Sequence, residues 1–306
     1  MKKKKEGYNY LSTMDVFNTN TLVNEQTGNL AFKLSNFEDN SQFDHIQRLN
    51  YYSIVWIREG RGKAKIDMVE YNFEPDTLFA LTPYQPFMFI EEVPLKGTVL
   101  NFHPDFFCIH KHHQQVACNG VLFNNIYNSP FLKVDEMAKR EFDGLFEQMY
   151  NGINTAGMAQ YELLVSYLKI FLISASRIKA KQQPEVTDSV EEDEGPFVLQ
   201  KLKNLIEQYF KSKHSAGDYA EMLNISPKAL AKIAKSHFNK TMTNLISERI
   251  IIEAKRELYL TDKSVKQIAY ELGYEDEYYF SRFFKNNVDI SPKFYRDTVG
   301  FARANA

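Results

Sequence analysis

A chain of 306 residues, of which 44% are apolar, 25% charged and 14% aromatic, has an ordinary globular composition and is long enough for two domains with separate cores. Its formal net charge of −2 at pH 7 would argue against a nucleic-acid partner if the charge were evenly spread. It is not, because residues 1–196 carry 19 Lys and Arg against 26 Asp and Glu, whereas residues 197–306 carry 18 against 13. The C-terminal third is therefore basic, as phosphate binding requires.

Cysteine content and hydropathy bear on location. The chain has 2 cysteines, too few for a disulfide framework, which fits a reducing compartment. The basic start MKKKKEGYNY is not followed by the apolar segment of a signal peptide, and the most apolar run, 163–175, contains Lys169 and is too short to span a membrane. The sequence predicts a soluble cytoplasmic protein with no membrane partner.

From about residue 51 the pattern indicates short strands. Apolar and charged residues alternate over 63–68, the period of a half-buried strand, and Glu59-Gly60-Arg61-Gly62 just before it is interpreted as a hairpin turn. Similar runs, separated by prolines, follow at 77–81, 87–92 and 97–103. Regularly spaced strands with Gly and Pro between them predict a β-sandwich or jelly roll.

Aromatic residues in these strands are candidates for the walls of a small-molecule pocket, because ligand sites are lined largely by apolar and aromatic side chains. Aromatic residues in strands are more often ordinary core, and this alternative stays open. The candidates for an effector pocket are Tyr52, Trp56, Phe73, Phe79, Phe87 and Phe89.

Histidine and cysteine are concentrated in the segment 103–118. His110 and His112 are spaced to share one strand face, but zinc sites show tighter, paired spacings. We therefore interpret the cluster as surface histidines in a loop or edge strand and predict no metal, no cofactor and no catalytic residue. The cluster consists of His103, Cys108, His110, His112, His113 and Cys118.

Two helices are predicted after the strands, at 135–150 and 161–178, because apolar residues recur there at spacings of three and four. Ile170 and Ile173 lie off the apolar stripe of the second helix, which leaves more apolar surface than one contact needs. A partner helix in a homodimer and packing inside one chain are both open interpretations.

The segment 182–196, QQPEVTDSVEEDEGP, separates these helices from the basic part of the chain. It has two prolines, six acidic residues and no apolar periodicity. We interpret it as a flexible acidic linker, because nothing in it would offset the entropy lost on ordering.

Helical spacing resumes at Phe197. Ser215 is a predicted helix cap, a turn follows at 224–226, and Pro227 opens the next helix, where its missing N–H costs nothing. A long helix is predicted over 243–260.

A second helix pair is predicted over 264–296. Ser264 and Gln267 form a capping box, and Gly273 tolerates the positive φ that a tight turn needs. The apolar stripe of the second helix is predicted to consist of Tyr279, Phe280, Phe283 and Phe284. The remaining side chains mix cations with hydrogen-bonding groups, which suits the major groove and its phosphates. The predicted DNA-contacting residues of this helix are Glu277, Tyr278, Ser281, Arg282 and Lys285.

Eight motifs in this stretch stand at a family's characteristic spacing: Ile268-Ala269, Gly273-Tyr274, Asp276, Tyr279-Phe280, Arg282, Phe284-Lys285, Ser291-Pro292 and Tyr295-Arg296. On these residues the stretch is similar to the second DNA-binding unit of the AraC/XylS family of bacterial transcription regulators. The sequence departs from the family at Thr241 and Asp289, where Gly is usual, and at Ala234, where a large aromatic residue is common.

The resemblance implies an α+β protein. It implies a cupin-like β jelly roll with a helical hairpin over 1–181 for effector sensing and dimerisation, and an all-α DNA-binding domain with two helix-turn-helix motifs over 197–306. In the first motif it implies that Lys228, Ala231 and Lys232 point into the groove, with Lys235 nearer the phosphates. The alternative for each lysine is an ordinary solvated side chain.

The function implied is that of a sequence-specific transcription regulator, an activator by resemblance, which binds double-stranded DNA, a small-molecule effector and RNA polymerase. It would form a homodimer through 161–178. Two alternatives stay open: a cupin-type metal-dependent enzyme with an accessory DNA-binding domain, and a nonspecific DNA-packaging protein.

Overall fold

The computed structural model describes residues 19–23, 30–67, 69–109, 121–123, 126–155, 157–182 and 195–299. The described part of the chain is an N-terminal antiparallel sheet with two helices, followed by a C-terminal region of helices alone. No helix in this part combines the length and the hydropathy that crossing a membrane would need.

The N-terminal region is built on one sheet of seven strands in the order β1-β2-β6-β3-β5-β7, with β4 paired to β3. All of these pairings are antiparallel. The strands are β1 (Asn20–Val23), β2 (Leu30–Phe37), β3 (Tyr52–Ile66), β4 (Val69–Phe73), β5 (Thr77–Leu81), β6 (Phe87–Phe102) and β7 (Phe131–Lys133).

The predicted hairpin turn at 59–62 is wrong. These residues lie inside the continuous strand β3, at irregularities in its pairing with β6. Gly60 has φ +90°, and a Cβ on Gly62 would stand 2.1 Å from the Ile90 carbonyl oxygen. The glycines therefore allow two long strands to bend together at a bulge, rather than to reverse. For the same reason the predicted strands 87–92 and 97–103 are one strand, β6.

The sheet has apolar clusters on two sides. One packs against two helices, α1 (Glu136–Asn154) and α2 (Gln160–Gln182), around Trp56, Phe142 and Phe171. The other joins aromatic residues of β4, β5 and β6 to one another. Aromatic pairs of this kind add to the hydrophobic stabilisation that burial gives.

Helices α1 and α2 occur where the sequence predicts them. The stripe of α2 is buried as expected, with Leu164, Leu168, Phe171 and Ala175 inside the core. Ile170 is exposed, but Ile173 packs against the sheet cluster instead of facing outward. In α1, Met137 belongs to the predicted stripe and is nevertheless exposed.

The C-terminal region consists of helices packed around one central helix, α6. Its residues Leu245, Ile246, Ile250, Ala254 and Leu258 are buried in a single core that both helix pairs share. The helices are α3 (Gly195–Tyr209), α4 (Ala216–Met222), α5 (Pro227–Phe238), α6 (Met242–Leu260), α7 (Val265–Glu271), α8 (Glu277–Val288) and α9 (Pro292–Val299). Of the predicted linker 182–196, the described residues Gln182, Gly195 and Pro196 lie in helices; 183–194 lie outside the described residues.

The two regions contact each other through polar bonds. Lys255 Nζ donates to the Pro83 carbonyl at 2.8 Å, and the Tyr259 hydroxyl donates to the Pro104 carbonyl at 2.9 Å. The Tyr84 and Thr298 hydroxyls lie 2.6 Å apart. Tyr84 lies in the loop between β5 and β6 but is buried with the C-terminal core, so the helices pack against loops of the sheet region.

Candidate nucleic-acid interface and the adjoining cavity

The first helix pair, α4 and α5, is defined by its caps. The Ser215 hydroxyl accepts a bond from the Asp218 N–H, and the Asp218 carboxylate accepts one from the Ser215 N–H, which is a capping box. Asn224 makes the turn at φ +54°. Ser226 then caps α5, and Pro227 follows in its first turn. The predicted cap and proline positions are confirmed.

The second pair, α7 and α8, repeats this arrangement. The predicted capping box is present, because Ser264 accepts from the Gln267 N–H at 3.2 Å and donates its own N–H to Gln267 Oε1 at 2.8 Å. Gly273 makes the turn at φ +81°, as predicted, and Asp276 caps α8 through its carboxylate. In both pairs, the turn and the capping residue thus fix where the second helix begins.

The two pairs are held to each other at the Gly273 turn. A Cβ on Gly273 would stand 2.1 Å from the Lys211 carbonyl oxygen, so the second turn lies directly on the chain before the first pair. The His214 ring packs on the Tyr274 ring with centroids 4.8 Å apart. Together with the shared core on α6, these contacts make the C-terminal helices one packed unit.

Helix α5 exposes its predicted DNA-contacting residues. Leu230, Ala234 and Phe238 are buried on the inner face. All four predicted contact residues lie on the exposed face: Lys228, Ala231, Lys232 and Lys235. Ala234 is fully buried, so the small residue faces the core at this place.

Helix α8 exposes a mixed polar face. Phe280, Phe284 and Val288 are buried. Of the predicted contact residues, Tyr278, Arg282 and Lys285 are exposed, whereas Glu277 and Ser281 are partly buried. Tyr278 is 79% exposed, so its whole side chain is available for contact.

Tyr279 corrects the predicted apolar stripe of α8. It is 57% exposed, and the buried positions are instead 280, 284 and 288, spaced four apart. Its ring lies near that of Tyr274, with centroids 5.9 Å apart. Counting the buried face by fours from Phe280 would have excluded it.

The cations of the two outer faces differ from several cations of α6 and of the loop after it. On α6 and the loop after it, Arg249, Arg256 and Lys263 pair with the carboxylates of Glu253 or Glu257. By contrast, within the described part of the chain no ion pair engages the cations of the two outer faces, namely Lys228, Lys232, Lys235, Arg282 and Lys285. An exposed cation that is not engaged in an ion pair can pair with a phosphate.

The two departures from the family at helix ends have simple structural outcomes. Asp289 ends α8 at φ +64°, in the left-handed conformation that a glycine would adopt there, and its carboxylate pairs with Arg48 of the sheet region. Thr241 caps α6, accepting a bond from the Asn244 N–H at 3.1 Å. At both positions the helix end is thus capped or turned in a regular way.

The six residues predicted to line an effector pocket are all buried. Tyr52 and Trp56 belong to the cluster under the two N-terminal helices. Phe73, Phe79, Phe87 and Phe89 belong to the other cluster. None of them lines the cavity described next, and their contact with an effector stays a prediction.

A cavity of about 480 Å³ lies between the sheet region and the C-terminal helices. Its walls come from Tyr71 and Ala80 on the sheet, from Lys179 near the end of α2, and from Glu248 and Lys255 on α6. Asn286 and Asp289, at the end of α8, complete it. The cavity therefore contacts both the sheet region and the second helix of the second pair.

The predicted histidine and cysteine cluster is only partly described. His103 is buried, and its Nε2 lies 3.3 Å from the Thr298 carbonyl oxygen, which makes it part of the contact between the regions and not a surface histidine. His110, His112, His113 and Cys118 lie outside the described residues. Within the described residues no group of acidic, histidine and cysteine side chains has the arrangement of a metal site.

The C-terminal helical region is similar to parts of known proteins. A family model described as "Helix-turn-helix domain" matches residues 219–298. Raffinose operon transcriptional regulatory protein RafR of Pediococcus pentosaceus is 28% identical over 148 residues, 47% of either chain. HTH-type transcriptional activator RhaS of Mannheimia succiniciproducens is 27% identical over 166 residues, 54% of this chain and 58% of that protein.

The chain thus spans about half the length of the curated relatives it matches. ToxT of Vibrio cholerae matches 89% of this chain and 99% of its own at 19% identity, with a TM-score of 0.40. The relatives are transcription regulators and not enzymes. Residues 219–298 are thus an AraC-type helix-turn-helix domain, and over the matched part the chain is similar to transcription regulators.

Proposed function

We propose that the chain is a sequence-specific DNA-binding regulator in which each helix pair is a helix-turn-helix unit, with α5 and α8 as the recognition helices. The observation that supports this is the pair of outer faces whose cations are exposed and make no ion pair within the described part of the chain. Because the units share one core, we expect α5 and α8 to enter successive major-groove segments, roughly 34 Å apart.

The two faces are chemically different, and so are their expected roles. Helix α5 presents lysines with Ala231 between them, which suits phosphates and thymine methyl groups. Helix α8 presents Tyr278 and Glu277 beside Arg282. We expect Tyr278 and Glu277 to discriminate between base edges. We expect base discrimination to come mainly from α8 and sequence-independent affinity from both.

Selection of binding sequences from random double-stranded DNA by the full chain tests this proposal. The expected result is an enriched motif with two half-sites about one helical turn apart. For the selected DNA, Lys228→Ala is expected to weaken specific and random DNA binding alike and to reduce the salt dependence by about one ion. Tyr278→Ala is expected to weaken mainly the specific complex.

Lys63→Ala, which removes an exposed lysine of β3, is the matched control and is expected to leave both affinities unchanged. Equal affinity for selected and random DNA would favour the nonspecific packaging alternative and overturn the proposal.

We also propose that the sheet region is a cupin-like sensor domain whose small-molecule effector biases DNA binding. The effector must bind one arrangement of the two regions more tightly than another, or it changes nothing. Activation through RNA polymerase stays a prediction from the family resemblance.

A homodimer through α2 is the proposed assembly. Leu163 and Ile170 are 45% and 48% exposed and stand seven residues apart, so they share one face of the helix. Sedimentation of the full chain and of the variant Ile170→Glu tests this: the variant should be monomeric at concentrations where the wild type is dimeric. A wild type that is monomeric at every concentration contradicts it.

A further inference from the structure

The cavity between the sheet region and α6 carries an unbalanced positive charge. Its walls contain five Lys or Arg and three Asp or Glu side chains. Three of the cations have an acidic neighbour. Arg48 pairs with Asp289, and Lys240 pairs with Glu248 at 2.7 Å. Lys255 is near Asp67, whose negative charge acts to raise the pKa of Lys255 against the larger lowering by burial.

Two lysines are then left, and only one of them is buried. Lys65 is exposed on β3 and is solvated by water. Lys179 is 3% exposed. Its Nζ donates to the Leu122 carbonyl oxygen at 3.3 Å, a long bond, and no carboxylate within the described part of the chain pairs with it. Lys179 is therefore a buried amine whose partners are incomplete within the described part of the chain, and it lines the cavity.

A side chain of this kind costs stability. Charged groups are rarely buried without a partner, because the lost hydration is not replaced. Burial lowers the pKa of Lys179 to about 7, which shows how poorly its surroundings support the charged form. A bound acidic group in the cavity would supply the partners that Lys179 lacks within the described part of the chain.

We propose that this cavity is the effector site and that it binds a small organic acid, whose acidic group accepts hydrogen bonds from Lys179. The proposal names the ligand class for the effector and rests on the proposed function as a regulator. Apolar walls such as Leu122, Ile126 and Ile251 accommodate the body of the ligand. The cavity volume of about 480 Å³ is within the range of small-molecule sites.

The same geometry explains how such a ligand would affect DNA binding. The acid is anchored on α2 of the sheet region, while the opposite wall is made by Glu248 of α6 and Asn286 of α8. A ligand that contacts both regions favours the arrangement in which they are packed together, and so shifts the population toward it. We therefore expect an organic acid to bind between the two regions, and not within the sheet, and to change how often they are packed together.

The experiment compares two fluorescent probes that share their rings. 1-Anilinonaphthalene-8-sulfonate carries an anionic group, and N-phenyl-1-naphthylamine is its neutral counterpart. We expect the full chain to bind one molecule of the sulfonate, and to bind it at least about tenfold more tightly than the neutral probe, since hydrogen bonds to charged groups contribute that much. Lys179→Met should abolish the preference while leaving binding of the neutral probe unchanged.

Two further variants keep the result decisive. Lys181→Met changes an exposed lysine on the same helix and is expected to retain the preference. Ile252→Trp fills the cavity from α6 and is expected to prevent binding of both probes, so the site is still tested if Lys179→Met fails to fold. Absence of one-to-one binding, or a preference that survives in Lys179→Met or in Ile252→Trp, overturns the proposal. DNA selection is independent of these probes, so a failure here is distinguishable from a failure of the proposed function.

Discussion

The guanidinium of Arg48, in the sheet region, pairs with the carboxylate of Asp289, the residue that ends helix α8. Asp289 stands in the left-handed conformation that glycine adopts most easily. A glycine would satisfy the backbone there but would lack the carboxylate. The departure from the family at this position therefore creates a direct link between the sheet region and the end of the proposed recognition helix.

A double-mutant cycle measures this link. Asp289→Asn keeps a residue that tolerates the left-handed conformation, and Arg48→Ala removes the cation. Because both side chains are substantially exposed, at 35% and 52%, we expect a coupling free energy of unfolding of only about 0.2–1 kcal/mol. The measurement is urea unfolding of the four proteins. A coupling of zero would show that the pair is not maintained in solution.

The Gly273 turn is expected to be far more sensitive. Gly273→Ala would place a Cβ 2.1 Å from the Lys211 carbonyl oxygen, at a φ of +81°, so both the backbone and the contact between the helix pairs must change. We expect a loss of at least about 2 kcal/mol in the free energy of unfolding. In Gly144→Ala, by contrast, the new methyl group meets nothing within 4 Å in the middle of α1, and a gain of about 0.5–1 kcal/mol is expected. Thermal unfolding of both variants decides the point.

The ion pair between Arg58 and Asp143 gives a third prediction. Arg58 lies 3.7 Å above the Trp56 ring, is nearly buried, and has its Nη2 2.6 Å from Asp143 Oδ1. The two ions are close but not well aligned for a hydrogen bond. Asp143→Ala leaves the arginine buried without its counter-ion, so we expect a loss of about 3 kcal/mol.

The control for this variant is an exposed ion pair on the same sheet. Lys96 lies 3.4 Å from Glu59, and both side chains are about half exposed. Glu59→Ala is expected to cost less than about 1 kcal/mol. Similar losses in the two variants, measured by chemical denaturation, would contradict the assignment of a buried charge to Arg58.

Local sequence signals predict the helical region well. Three features there depend only on residues within a few positions of one another, so local sequence is enough to predict them. They are the cap at Ser264, the turn at Gly273 and the start of α5 at Pro227. The bend of β3 against β6 is different. It depends on the close approach of Gly62 to Ile90, and a Gly-rich stretch predicts a turn and a bulge equally well.

The cavity is not predictable from local patterns, for a related reason. Lys179, Glu248 and Tyr71 belong to three elements that are distant in the sequence. They line one cavity only because the C-terminal helices pack against the sheet region. The sequence instead predicts a pocket lined by aromatic residues of the strands. These residues are buried in the two sheet clusters. Tyr84 and His103 likewise owe their burial to the contact between the two regions.

The last prediction concerns pH. The pKa of Lys179 is lowered to about 7 by burial, whereas a lysine in the unfolded chain titrates near 10.4. Between these two values the unfolded chain binds more protons at this position than the folded one, so this group makes stability rise with pH. Below pH 7 the folded protein must hold the charge, and the full cost of burial is present.

Lys179→Met is therefore expected to unfold at a higher temperature than the wild type when no ligand is added. The gain should be about 1–3 kcal/mol at pH 6 and should shrink toward zero near pH 10. The other titratable groups of the cavity, Asp67, Glu248, Lys240 and Lys255, are present in both proteins, so their effects largely cancel in the difference. Thermal unfolding of both proteins from pH 6 to pH 10 is the measurement. A gain that does not depend on pH would show that methionine improves packing alone, and a loss at pH 6 would show that Lys179 already has a charged partner.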